Sequence, residues 1–183
     1  MTSFYRLMLG LLVWGFSAPA PSPAAVIEVQ PPPQVSNYEL LLRKSSKTNA
    51  VGDPVWTLTL VTGTGQAVAS MPAVTGRAYT QTLDRNTPNN ESPLPTGNYS
   101  ILRNGIERGP FPNPELGRGY WVPMQPQFAT GRSNLGFHVD PSFGLHNGQS
   151  GTAGCVGLLN TAATEQLVAW INTHNVKTLR VIS

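Results

Sequence analysis

The stretch "GFHVDPSFGLHNGQSGTAGCVGLLN" (136–160) contains the only cysteine of the chain, Cys155, and two of its three histidines, His138 and His146. A cysteine used once is either a small buried hydrophobe or a nucleophile served by a nearby base. The surroundings of Cys155 favour the second reading. "SGTAG" (150–154) runs directly into it, and glycines there let successive backbone N–H groups converge, an arrangement that can bind an oxyanion. "NLGFHV" (134–139) reads as a buried strand ending at His138 and Val139, and "CVGLL" (155–159) as another short strand. If the two are neighbours, the imidazole 17 residues upstream meets the thiol. A Cys–His pair is the minimum for acyl transfer, since the imidazole takes the thiol proton and the sulfur attacks a carbonyl. His146 is the rival base or a substrate contact, because its loop "GLHNGQSG" (144–151) can fold over the site.

Working outward, 183 residues leave room for one ordinary domain, and 40% hydrophobic residues are enough to give it a core. With 18 Gly and 17 Pro, the chain favours short strands and many turns over long helices. A net charge of +3 with no basic cluster beyond "RKSSK" (43–47), read as a solvated loop, gives no nucleic-acid footprint. No metal or cofactor is expected, because no His/Cys/Asp spacing suggests a ligand set.

The N-terminus reads as an export signal over residues 1–25. Arg6 precedes an apolar run, "LMLGLLVWGF" (7–16), and "SAPAPSPAA" (17–25) supplies small residues for cleavage after Ala24 or Ala25. The run is too short to span a bilayer, so the mature protein is expected to have no integral span and to act in the periplasm or outside the cell. Retention of the segment as an anchor is the alternative. Residues 26–36 form a proline-rich linker, and residues 37–183 form the folded domain. Outside the cytoplasm a lone cysteine has no intramolecular disulfide partner, leaving a free thiol or an intermolecular link.

Strand composition recurs at "YELLLRK" (38–44), "VWTLTLVTG" (55–63), "GQAVASMPAVTGRA" (65–78), "NYSILR" (98–103) and "KTLRVIS" (177–183). The loop "DRNTPNNESPLPTG" (84–97) is crowded with turn formers. One helix is expected over "TAATEQLVAWINTH" (161–174), capped by Asn160 or Thr161 and ended by a left-handed Asn175. "GYW" (119–121) and Trp170 read as core, with Tyr120 a candidate to line the cleft. Asp140, in "DPS", reads as an Asx turn. The fold class is mainly β, a sandwich or open barrel with one helix in the C-terminal half.

Three blocks of this chain resemble the L,D-transpeptidase catalytic domain of the YkuD type, which remodels bacterial peptidoglycan. They are "PLPTGNYSI" (93–101), "LGFHV" (135–139) and "GTAGCVGLLN" (151–160), and the resemblance covers roughly residues 51 to 173. The 17-residue spacing from His138 to Cys155 is similar to that of the family. The resemblance implies that Cys155 is the nucleophile, that His138 is its base, and that the Val139 carbonyl orients the imidazole. The N–H groups of Gly154 and Cys155 would form the oxyanion site. Two positions depart from the signature: Ala153 stands where a histidine is usual, and Gly157 where Arg or Asn is frequent. Arg132, in "GRSNLGFH", can replace the lost cation as a substrate contact, although a solvated surface position is the plainer expectation. The implied activity is transfer of peptidoglycan stem peptides to an amine. The alternatives are an L,D-carboxypeptidase or endopeptidase that hydrolyses them, and a wall-binding module without catalysis.

Overall fold

The computed structural model describes residues 38–183. The expected signal peptide and linker lie outside the described residues. Among the described residues, nine strands and one α-helix follow in order: β1 (Tyr38–Thr48), β2 (Pro54–Thr62), β3 (Ala67–Val74), β4 (Gly97–Ile101), β5 (Glu107–Arg108), β6 (Tyr120–Pro126), β7 (Leu135–Val139), β8 (Val156–Leu158), α1 (Thr161–Thr173) and β9 (Thr178–Ile182). Strand side chains alternate between faces. In β1 this sends Leu40 and Leu42 inward, in β2 Trp56, Leu58 and Leu60, and in β9 Leu179 and Val181, all buried. The "RKSSK" run is not a loop; it is the exposed far half of β1.

The strands form one sheet in the order β4-β9-β1-β2-β3-β8-β7-β6-β5, and a further β4–β6 pairing brings the sheet back on itself. Of the two arrangements expected, this is the barrel. Closure removes the exposed edges that an open sheet of this length would leave. Phe137, Tyr99, Val122, Val156 and Leu158 complete the buried interior.

The helix α1 packs on β6, β7 and β8 through Leu167, Trp170 and Ile171. Its N-cap is Asn160, whose side chain accepts from the Ala163 N–H at 3.0 Å. At the other end Asn175 takes a φ of 51°, and the Val176 N–H returns to the Ile171 carbonyl at 3.1 Å, a Schellman-type stop. Both termini match the sequence expectation. The strand β6 does not: "YWVPMQP" carries two prolines, yet it pairs with β4, β5 and β7. Among the described residues no helix is long and apolar enough to cross a membrane.

Candidate active site

The strands β7 and β8 run parallel, with His138 opposite Gly157 and Phe137 opposite Val156. That register sets Cys155, the residue entering β8, beside the strand that carries His138. The two side chains line one cavity of about 390 Å³, together with Trp121, Arg132, Asn134, Ala153, Glu91 and Glu115 among others.

His138 is buried, and its Nδ1 lies 2.7 Å from the Val139 carbonyl oxygen. With Nδ1–H donating to that carbonyl, Nε2 is left unprotonated and able to accept a proton. Burial lowers the pKa of the imidazole below its usual 6.5, against the raising effects of the Val139 carbonyl and of Glu115. Cys155 is half-buried. Loss of solvation pushes its thiol up to about 11, and the charge of Glu115 adds to this. A hydrogen bond from the Gly136 backbone and the charge of Arg132 oppose it. Both shifts favour the uncharged form of the group, a thiol on Cys155 and a neutral imidazole on His138. Such a pair reacts by moving the proton during attack.

The turn before Cys155 is tightly held. The Thr152 hydroxyl donates to the Cys155 carbonyl at 2.6 Å and accepts the Gly154 N–H at 3.2 Å. The Gly154 N–H, which the resemblance implies as an oxyanion donor, has the Thr152 hydroxyl as its acceptor in this structure. Gly154 has a φ of 111°, and a Cβ there would run into Nη2 of Arg132. Gly157, where the family signature often has Arg or Asn, is required for a different reason: a Cβ would meet Thr152 Cγ2 at 2.7 Å and Asp140 Cβ at 2.9 Å.

Arg132 is not a solvated surface side chain. It is 8% exposed, and Nη2 donates to the Ala153 carbonyl at 2.9 Å. Nη1 donates to the Ser92 hydroxyl at 3.1 Å and to the Arg85 carbonyl at 3.2 Å. Asp140 forms the Asx turn, accepting the Ser142 N–H at 2.9 Å, and also takes the Gly151 N–H at 2.9 Å. It thereby pins the loop that leads to Cys155.

Two candidates lie elsewhere. His146 lines a separate cavity with Asp53, Tyr79 and Ser150, and shares no lining residue with Cys155. Tyr120 faces the helix side: its N–H donates to the Thr164 hydroxyl at 3.0 Å, and the Arg108 guanidinium sits 5.6 Å from its ring centroid. Trp121, read as core, instead lines the Cys155 cleft, with its ring 6.1 Å from that of His138. Sequence reasoning also missed the loop residues Glu91, Asn113 and Glu115. The buried Arg77 links the two glutamates, donating to Glu115 at 2.7 Å and lying 3.6 Å from Glu91, while it also holds the Gly151 carbonyl at 2.6 Å. Among the described residues no group of three or more His, Cys, Asp or Glu side chains is arranged to hold a metal ion.

The family model of the L,D-transpeptidase catalytic domain, YkuD, matches residues 52–182, and the chain belongs to that family. Comparison with curated proteins and with solved structures finds no match.

Proposed function

We propose that this protein is an exported peptidoglycan L,D-transpeptidase in which Cys155 is the acyl-accepting nucleophile and His138 its base. The observation that carries this reading is His138 itself: its Nδ1 is tied to the Val139 carbonyl while the ring lines the same cavity as Cys155. Cys155 Sγ attacks the carbonyl of the L-to-D amide of a stem peptide as its proton passes to His138 Nε2. The new carbon–sulfur bond gives a tetrahedral oxyanion facing the Cys155 N–H. The carbon–nitrogen bond then breaks, and the departing D-amino acid takes the proton from the imidazolium. An amine next attacks the thioester, His138 accepts its proton, and the thiol is restored with a cross-link formed. Export is supported by the apolar run at 7–16 with its small-residue boundary, and places the reaction at the cell wall, in the periplasm or outside the cell.

Incubation of the purified protein with muropeptides, read by mass, tests this. Cross-linked dimers are the expected product. Trimmed stems alone would assign the same site to hydrolysis, and unchanged muropeptides would leave a wall-binding role.

A further inference from the structure

Arg132 carries a charge that the fold does not neutralise. The residue is more than nine-tenths buried, yet every acceptor its guanidinium reaches among the described residues is neutral: the carbonyls of Arg85, Ser92 and Ala153 and the Ser92 hydroxyl. Among the described residues no carboxylate oxygen lies within 4.0 Å of it. Burying a cation without a counter-ion is costly, so its retention needs a compensating anion. Among the described residues no such anion stands against it, and Arg132 lines the cavity that holds Cys155.

We propose that Arg132 is the positioning residue of this active site: from beneath the Ala153–Gly154–Cys155 turn it holds the turn in place and supplies the positive charge that meets the thiolate and acyl oxyanion formed at Cys155. The inference rests on Cys155 being the nucleophile. The turn and the guanidinium are fitted to one another, because Nη2 both holds the Ala153 carbonyl and occupies the space of the missing Gly154 Cβ. Ala153 and Gly157 provide no charge on either side of the cysteine, and Arg132 brings one from a separate loop. The other ionisable groups facing the thiol are His138 from β7, Glu115 from the 113–116 turn and Glu91 from the 84–97 loop. Both glutamates are engaged by Arg77, so Arg132 is the cation left to act on Cys155. Its charge also lowers the thiol pKa, against the effect of burial.

The test is the rate of Cys155 alkylation by iodoacetamide in the full chain, followed against pH, with thermal stability measured in parallel. Alkylation reads the thiolate whether or not the protein turns over muropeptides, so it is independent of the proposed reaction. The expected result for Arg132→Met is a rising limb displaced to higher pH, with at least an about threefold loss of rate at a fixed pH below it. Arg132→Lys keeps the charge and should keep the limb, at a cost in melting temperature. Ser92→Asp covers the case in which Arg132→Met does not fold, since it leaves the arginine in place and gives it a carboxylate partner. It should maintain or raise the melting temperature while slowing alkylation, two effects of opposite sign that a purely structural arginine would not produce. Alkylation profiles of Arg132→Met and Ser92→Asp that superimpose on the natural protein would overturn the proposal.

Discussion

Two cavities of similar size, about 350 and 390 Å³, are lined by different parts of the segment from Leu145 to Cys155, and each holds a histidine. The first gathers His146, Ser150 and Asp53, residue types that would suit a hydrolytic triad. Its hydrogen bonds point the wrong way. The Ser150 hydroxyl donates to the Asp53 carboxylate and accepts from Asn49 Nδ2 at 3.2 Å and from the Gly144 N–H at 3.1 Å. A hydroxyl engaged in this way holds a loop together and has no proton to give a base. In the second cavity the Cys155 sulfur is held loosely, by a 3.7 Å contact with the Asn134 carbonyl and a hydrogen bond from the Gly136 backbone, and the histidine is fixed through Nδ1 with Nε2 left over. The difference between the two sites lies in which polar atoms are already satisfied, not in their residue types.

That contrast breaks most sharply at Cys155→Ala. Loss of acyl transfer should be complete, with a melting temperature close to that of the natural protein because the side chain is small and half-buried. Residual turnover in this variant would move the chemistry elsewhere. His138→Gln comes next: its acylation rate should fall by about 10²-fold or more, the usual cost of a positioned base. In the natural protein kcat/KM should rise with pH through the pKa of His138, which burial holds below 6.5, since the base must be neutral to work. It should stay level through neutrality, because the thiol does not ionise until about 11. A rate that fell on raising the pH from mildly acidic to neutral would point to a thiolate–imidazolium pair.

In the other cavity the expected losses are of stability, not chemistry. Asp53→Ala strands the Ser150 hydroxyl and Asn49, at about 1–3 kcal/mol, read as a lower denaturant midpoint with turnover little changed. His146→Ala should have the smallest effect of all on both measures, because the side chain is exposed and away from Cys155. A large loss of turnover in either variant would join the two cavities into one functional unit.

Much of this architecture could be read in the chain before any coordinates. Strand composition marks β1, alternation in β2 marks the core face, Asn160 and Asn175 mark the ends of α1, and the spacing from His138 to Cys155 aligns two neighbouring strands. The walls of the cleft were not legible. Glu91 and Glu115 arrive on loops without hydrophobic periodicity, and what brings them to the site is Arg77, distant from both in sequence for a local bond. Arg132 escaped for a related reason. Apart from the Ser92 hydroxyl, its partners are main-chain carbonyls up to 47 residues away, and a carbonyl leaves no mark in a sequence. The prolines in β6 hid a strand, and with it the position of Trp121 beside His138.

The most direct measurement is intact-mass spectrometry with peptide mapping after incubation of the protein with a stem peptide or a carbapenem. The expected result is a stoichiometric acyl adduct on Cys155, absent from Cys155→Ala. An adduct on Ser150, or undiminished product formation by Cys155→Ala, would contradict the assignment of the active site.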